Sequence, residues 1–368
     1  NVVSQVTPNV KLLGTYVQVE ESLVGTLTGG SDDPSTTPAA GILSTQNRGN
    51  DHAWILSAEI TPFKGLDLKP MISSFQAEGT TSGSARQGRG GLNTTTAYSP
   101  TGDFRGDVEE ARYTVGIDAR YRMGPLSLDP TLMYQFGHRS VIAPAAFAVS
   151  GAVPGRRYRA DISALFFDLR AGYQLGPLLL QGLAVYTTGN GARDNTLDNV
   201  NYFQPLTTDT GYLADWGTQL TSLGVDYLNA WNEASGRITY PGVGIGWDKY
   251  GRIQLGFKST YAITPALSIM AGVNGHWAAR KVDRNGTAVA GAGILPVWNG
   301  ATPKDNSQYV GTEFMALLSW RFAPGLTWDN AFGYMAMGSA LDAVTDPLAG
   351  GRNTNDPMIL TSRIRFTF

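Results

Sequence analysis

The stretch EEARYTVGIDARYRMGPLSLDPTLMYQF, residues 109–136, alternates between apolar and polar side chains on both sides of one Gly-Pro step. In its first half the odd positions from Ala111 to Met123 are apolar or aromatic, and the even positions are polar, charged or glycine. A period of two residues predicts a β-strand with one apolar and one polar face. The Gly124-Pro125 step breaks the pattern where a chain can reverse, so the stretch predicts two antiparallel strands joined by a short turn.

This layout recurs along the whole chain. Turns with Pro or Gly fall within residues 61–68, 122–128, 174–180, 262–269 and 321–328, and long polar segments lie near 24–50, 79–106, 140–158, 189–236, 281–306 and 339–356. The alternation predicts twelve strands, near residues 9–20, 52–62, 66–77, 108–123, 126–138, 160–175, 178–188, 250–263, 266–279, 308–322, 325–337 and 358–368.

An even number of antiparallel strands, with short turns at one end and long loops at the other, predicts an all-β, up-and-down transmembrane β-barrel. The short turns are expected on the periplasmic side, the long loops outside the cell and both chain ends on the turn side. Residues 1–368 are expected to form one domain. Fourteen strands are the alternative, with a further pair drawn from 189–236 and from RITYPGVGIGW, residues 237–247.

Composition narrows the classes of function. Charged residues make up 16% of the chain, below the roughly one quarter usual in soluble proteins, and the net charge of −2 gives no reason to expect a nucleic-acid partner. The chain has no cysteine, which excludes disulfides and thiolate sites. Three well-separated histidines do not suggest a metal centre, and no cofactor is expected. Because the sequence starts at Asn1 without Met or a signal peptide, we interpret it as a mature or trimmed chain.

A soluble sheet with one wet face would alternate in the same way, so the distribution of charges and aromatic residues has to decide. Charges of both signs fall almost wholly on one parity of the strands, as expected for a hydrated lumen. Aromatic residues sit near the strand ends on the other parity: Tyr121, Tyr173, Tyr261, Trp320, Phe322, Trp328 and Phe366 toward the turns, and Tyr113, Phe136, Trp277 and Tyr334 toward the loops. Two such rings are typical of the girdles of a membrane barrel.

The last strand, ILTSRIRFTF (359–368), resembles the closing strand of Gram-negative outer-membrane β-barrel proteins. In that class a terminal Phe with apolar residues at alternate positions is read by the barrel-assembly machinery. The resemblance implies that Ile364, Phe366 and Phe368 form such a signal. It also implies an integral protein of the bacterial outer membrane, in contact with lipid and lipopolysaccharide.

A porin-like channel for passive diffusion of small polar or ionic solutes is the function that this architecture predicts. The residues expected to line the pore are Glu59, Lys69, Glu110, Arg112, Asp118, Arg120, Arg122, Asp168, Arg170, Arg252, Lys258, Glu313, Arg321, Asp329, Arg363 and Arg365. Basic residues outnumber acidic ones among them, which predicts a mild preference for anions.

The longest loop, 189–236, is rich in aromatic residues and is expected to form a constriction or plug, or else a structured external loop. The small outward residues Gly182 and Ala184 would suit a homotrimer wall.

A barrel without a transport role is the alternative, either a structural or adhesive surface protein or an enzyme. Outer-membrane phospholipases, which are also twelve-stranded barrels, carry a lipid-facing His-x-Ser pair and an Asn on the next strand that orients the histidine. His138 and Ser140 are similar in spacing and share the outward parity of Phe136. The residues that follow depart from that pattern, and the next strand, RYRADIS (157–163), supplies no Asn.

Overall fold

A computed structural model describes residues 1–20, 51–77, 109–142, 157–191, 198–203, 216, 250–283, 305–339 and 356–367. These residues contain fourteen strands of one sheet: β1 (Val2–Thr7), β2 (Val10–Glu20), β3 (Asp51–Phe63), β4 (Leu66–Ala77), β5 (Glu109–Met123), β6 (Leu126–Ile142), β7 (Arg157–Leu175), β8 (Leu178–Thr187), β9 (Asn199–Val200), β10 (Arg252–Thr264), β11 (Leu267–Asp283), β12 (Asp305–Ala323), β13 (Leu326–Met337) and β14 (Met358–Phe366). Antiparallel pairing follows chain order, with β8 bonded to β10, whereas β9 pairs in parallel with β7. Among the described strands no ladder joins β14 back to β1, so the sheet is not closed.

All twelve expected strands are present, but the count of twelve is wrong for the described residues because β1 and β9 are added. The Val2–Thr7 stretch has valines on both parities and shows no polar face from which to recognise a strand. The two residues of β9 are too few to show any period. Without the two-residue β9, the described residues contain thirteen strands paired in chain order, so this part of the chain does not show the expected even count. Most of 189–236 and all of 237–247, where the alternative pair was expected, lie outside the described residues.

Tight turns set the register of neighbouring strands. Gly124 and Gly176 have φ values of +56° and +57°, a backbone conformation that glycine adopts at no steric cost, and they lie in the β5–β6 and β7–β8 turns. From the β5–β6 turn the pairing runs out to Tyr113 opposite Phe136 and to Glu110 opposite Arg139. A register fixed at the turn thus decides which side chains meet far from it.

Exposure of the two faces is inverted relative to a water-soluble protein. On the apolar face Leu255 and Phe257 remain 54% and 51% exposed, whereas on the polar face Arg112 and Glu313 are 1% and 0% exposed. Soluble folds bury their large apolar side chains and leave charges in water. An apolar outer surface of this extent is stable when hydrocarbon covers it, as the charge distribution along the sequence predicts. No helix among the described residues is long and apolar enough to cross a membrane.

Aromatic residues cluster at both ends of the apolar face. Near the turns the ring centroid of Trp320 lies 5.7 Å from that of Phe322 and 6.3 Å from that of Trp328. Near the loops Tyr113 and Phe136 stack with their ring centroids 5.5 Å apart. These clusters occupy the depths at which the interfaces of a bilayer would meet the sheet.

The last strand, β14, is paired with β13 and presents Ile364 and Phe366 on the apolar face, 56% and 71% exposed. Phe368, the third residue of the expected assembly signal, lies outside the described residues. Just before β14, the carboxylate of Asp356 accepts hydrogen bonds from the Met337 backbone N–H at 2.8 Å and the Tyr334 hydroxyl at 2.7 Å. These two bonds, the backbone one first, lower the pKa of Asp356 and fasten the start of β14 to β13.

Substituting an apolar-face residue tests the membrane assignment. We expect Phe257→Arg to destabilise the protein folded in lipid vesicles, lowering its free energy of unfolding by about 2–4 kcal/mol, because it places a guanidinium against hydrocarbon. Thr260→Arg, three residues along β10 on the polar face, is the control and should cost much less. Equal losses for the two variants in urea titrations would contradict a lipid-facing Phe257.

Candidate functional site

The polar face has an open half, near the turns, in which most charged side chains are in contact with solvent. Glu59 lies between Lys11 and Lys69, with Nζ–Oε distances of 3.8 Å and 3.6 Å, and these side chains are 43–50% exposed. They border a cavity of about 420 Å³ together with Asp118 and Arg120. Alternating positive and negative charges around a wet cavity suit polar or ionic solutes.

On the other side of the open half, Asp329 of β13 contacts two arginines of the last strand, β14. Its carboxylate accepts a hydrogen bond from Arg365 Nε at 2.5 Å and lies 3.4 Å from Arg363 Nη2. Ser319 donates a further bond to it at 2.7 Å. Both arginines remain at least half exposed, so they present positive charge at the turn-side opening.

Toward the loops the same face is closed off from solvent. Glu110 lies 2.7 Å from Arg139 Nη2 and 3.2 Å from Arg112 Nη1, and all three side chains are at most 3% exposed. Arg112 also lies over the ring of Phe75, 4.9 Å from its centroid. One buried carboxylate is thus shared by two guanidiniums.

A segment that follows β8 lies against this closed half. Tyr202, Phe203 and Trp216 are 1%, 5% and 1% exposed, although long polar loops normally leave their residues in water. The Tyr202 hydroxyl accepts a hydrogen bond from Arg139 Nη1 at 3.3 Å, and the Phe203 ring lies 5.1 Å from that of Phe166. The part of the aromatic-rich loop that is described is therefore packed on the polar face of the sheet.

The path of this segment is fixed where β8 ends. Thr188 exchanges hydrogen bonds with Leu165: its N–H donates to the Leu165 carbonyl at 3.0 Å, and its hydroxyl accepts from the Leu165 N–H at 2.8 Å. In the part of β7 that extends beyond its pairing with β8, β9 pairs with β7 in parallel. Asn190 then donates to the Asn199 carbonyl at 3.0 Å and accepts from the Asn201 N–H at 2.7 Å, which holds the two ends of the excursion together.

A second buried polar cluster crosses β7, β10, β11 and β12. Asp168 lies 3.1 Å from Arg170, and Arg252 is hydrogen-bonded to Gln254. His276 Nε2 lies 3.7 Å from a carboxylate oxygen of Glu313, and both side chains are fully buried. These residues lie on the polar face, close to the Trp216 side chain.

Cross-strand register places every residue expected to line the pore on the polar face. Those in the open half are Glu59, Lys69, Asp118, Arg120, Arg122, Arg321, Asp329, Arg363 and Arg365, and those in or beside the closed half are Glu110, Arg112, Asp168, Arg170, Arg252, Lys258 and Glu313. Gln254, Asn274 and His276 were missed, although they share the parity of Lys258 or pair with residues that do. A search by parity for uncharged polar side chains would have found them.

On the outward face, the strand register adds a residue to the His-x-Ser pair. His138 of β6 lies directly opposite Asp161 of β7, and Ser140 lies opposite Arg159. A carboxylate thus stands where the sequence comparison with phospholipases sought an Asn. Ser140 is 8% exposed, and no hydrogen bond joins the three side chains among the contacts of these described residues.

No protein-family model matches the chain, and neither does any curated protein. Similar solved structures include the siderophore receptor PirA from Acinetobacter baumannii, with 8% identity and a TM-score of 0.45, covering 92% of this chain and 40% of that one. The FrpB iron transporter from Neisseria meningitidis has 9% identity and a TM-score of 0.44 over 90% of this chain and 44% of its own. For OccAB1 of Acinetobacter baumannii the identity is 11% and the TM-score 0.39, over 100% and 67%. The chain spans less than half the length of the first two, and at these TM-scores the likenesses say nothing about its activity.

The setting of the protein follows from its own surface. Its apolar face is exposed along the sheet and bears aromatic clusters at both ends, and the charged residues lie on the opposite face. An up-and-down antiparallel sheet with these faces is of the outer-membrane β-barrel type. The protein is an integral protein of the bacterial outer membrane.

The shared carboxylate of Glu110 provides a test of the closed half. We expect Glu110→Gln to cost about 3–5 kcal/mol of stability, because Arg112 and Arg139 would stay buried after losing this counter-charge. Glu59→Gln removes a carboxylate that also lies between two cations but is exposed, and should cost about 0–1 kcal/mol. Urea unfolding of both variants in the same lipid would measure the difference, and similar losses would contradict the closed half.

Proposed function

We propose that the protein is a channel for passive diffusion of small polar or ionic solutes across the outer membrane. The observation that carries this proposal is the polar face, on which charges of both signs extend from an open cavity of about 420 Å³ near the turns to a buried zone near the loops. The interior of a transmembrane barrel is polar, and in porins it forms a water-filled channel.

A mild preference for anions is part of the proposal. Basic residues outnumber acidic ones on the polar face, and Arg363 and Arg365 hold positive charge at the turn-side opening around a single carboxylate, that of Asp329. Positive charge along a path lowers the energy of an anion there more than that of a cation.

Narrowing of the path is assigned to the segment that follows β8. Tyr202 is hydrogen-bonded to Arg139 of the Glu110–Arg139 pair, and Phe203 and Trp216 pack against β7 and β8. Solutes would be selected at this level of the sheet, while the open half would collect them.

Single-channel recording in a planar bilayer tests the function. We expect discrete, reproducible conductance steps, with a reversal potential displaced toward that of chloride under a KCl gradient. Replacing both Arg363 and Arg365 by Gln should move the reversal potential toward that of potassium, because two exposed positive charges leave the opening. Lys64→Gln, which removes an exposed charge from the β3–β4 turn, is the control and should leave it unchanged.

Silence from a folded, heat-modifiable sample would reject the channel. An unchanged reversal potential in the double arginine variant would reject the anion preference alone. A channel that shows three equal substeps would support a homotrimer, for which the outward Gly182 and Ala184 of β8 offer a close-packing wall. Lipid, lipopolysaccharide and the barrel-assembly machinery are the further partners that we propose.

Lipid hydrolysis is a second candidate, favoured by the position of Asp161 opposite His138. In such a reaction the Ser140 hydroxyl would attack an ester carbonyl while His138 takes its proton and Asp161 holds the imidazolium. The alcohol would leave with that proton, and water would then release the fatty acid from Ser140. A purely structural or adhesive surface role is the other alternative to transport. It would fit a folded protein that neither conducts ions nor hydrolyses lipid.

Phospholipid hydrolysis in mixed micelles tests the second candidate. If the protein is a hydrolase, Ser140→Ala should abolish fatty-acid release, because no nucleophile would remain. Ser163→Ala is the control, since Ser163 lies on the same outward face and is hydrogen-bonded to Tyr134 at 3.0 Å. Equal rates in the wild type and both variants would reject the hydrolase.

A further inference from the structure

The open cavity of about 420 Å³ on the polar face is lined by three positive and three negative side chains. The cations are Lys11, Lys69 and Arg120, and the anions are Glu59, Asp67 and Asp118. The volume lies in the range of about 300–1,000 Å³ that is usual for small-molecule sites. Because these charges balance, the cavity has no overall attraction for a cation or an anion, and its selectivity depends on how the charges are arranged.

Strand register alternates the two signs across β4 and β5. Lys69 of β4 is opposite Asp118 of β5, and two residues nearer the short turns Asp67 is opposite Arg120. Residues directly opposite each other are close neighbours, and residues two apart on one strand share a face. Arg120 therefore has a carboxylate on two sides, Asp67 across the ladder and Asp118 along its own strand.

Arg120, Asp67 and Asp118, which we call the Arg120 group, are only partly engaged within the described part of the chain. Asp67 Oδ1 accepts a hydrogen bond from the Thr61 hydroxyl at 2.7 Å, and Asp118 Oδ1 accepts one from the Thr131 hydroxyl at 2.9 Å. The Arg120 side chain is exposed and makes no ion pair or hydrogen bond with a described residue. Each acid thus keeps its second oxygen, and Arg120 its fork of donors, for a solute.

The charges beside the Arg120 group differ from it because they already have ionic partners. Arg122, two residues further along β5, donates to both carboxylate oxygens of Asp129. Glu59 lies 3.8 Å from Lys11 and 3.6 Å from Lys69. A solute would have to compete with these ion pairs, whereas at the Arg120 group it would compete only with water.

We propose that the Arg120 group is a binding subsite for zwitterionic solutes that carry an ammonium and a carboxylate close together, as free α-amino acids do. The carboxylate of the solute would pair with the Arg120 guanidinium through two hydrogen bonds. The ammonium would be held by the second oxygens of Asp67 and Asp118. The subsite rests on the proposed channel function for its role, since it would define a class of solute that the open half collects.

Solvent contact at the Arg120 group sets the strength of binding. Ion pairs in water contribute at most about fivefold each in affinity. A zwitterion makes pairs of both kinds, whereas a solute with a single charge makes one kind and leaves the opposite charges of the group in water. Weak binding of this sort suits a transport path, because a solute that is held too tightly does not leave.

Equilibrium binding to the folded protein in micelles of an uncharged detergent tests the subsite without requiring conduction. The probes are alanine, N-acetylalanine and alaninamide, which share one carbon skeleton and are a zwitterion, an anion and a cation. In NMR titrations we expect alanine to bind about fivefold more tightly than either analogue, because it alone makes ion pairs at both ends.

Variants that remove one sign of charge assign the two ends of the solute. Arg120→Gln should abolish the advantage of alanine over alaninamide, and the double variant Asp67→Asn, Asp118→Asn should abolish its advantage over N-acetylalanine. The three side chains are exposed or half-buried, so these replacements are not expected to prevent folding. Lys64→Gln is the control, because it removes a charge of the β3–β4 turn that does not line the cavity, and it should leave all three affinities unchanged.

Two results would overturn the proposal. If either singly charged analogue binds the wild type as tightly as alanine, the cavity does not recognise a zwitterion. If alanine does not bind, or binds equally well to the wild type and to the variants of the Arg120 group, that group is not a ligand site. Conductance of the same samples distinguishes this from failure of the channel: alanine binding without conductance would refute the channel and keep the subsite, and conductance without alanine binding would do the reverse.

Discussion

Hydrocarbon cannot hydrogen-bond to a peptide group, and this constraint governs the whole molecule. The strands from β2 to β8 and from β10 to β13 lie in ladders on both sides, so their backbone polar groups are paired within the sheet, whereas β1 and β14 are the edges of the described sheet. The same constraint explains why Leu255 and Phe257 face outward and why charged residues such as Glu110 and Arg112 lie on the opposite face. The polar face must then satisfy its own charges, because neither lipid nor bulk water reaches its closed half. That requirement explains why Glu110 is shared by two arginines and why Arg139 also contacts Tyr202.

Alternation along the strands made most of this wall predictable. A two-residue period in residues 109–136 already specifies which side chains face lipid, and Gly124 marks the turn that sets their register. β1 and β9 escaped because their signal is not periodic. The valines of β1 fall on both parities, and β9 exists only because β7 continues past the last pair it makes with β8, Phe166 and Thr187. An edge left by a neighbouring strand is a property of the sheet and cannot be read from the segment that fills it.

The sequence predicted which residues of the candidate site share the polar face, but not which of them are buried. Parity alone put Glu59 and Glu110 in one group, yet the first is in contact with solvent and the second is buried. On the buried part of this face Tyr202 contacts Arg139, and Phe203 and Trp216 pack on Phe166, so the packing there joins residues far apart in the chain. Their aromatic character indicated that the loop was more than a solvated connection, but which cation each would meet depended on the strand register. The pairing of Asp161 with His138 was hidden in the same way.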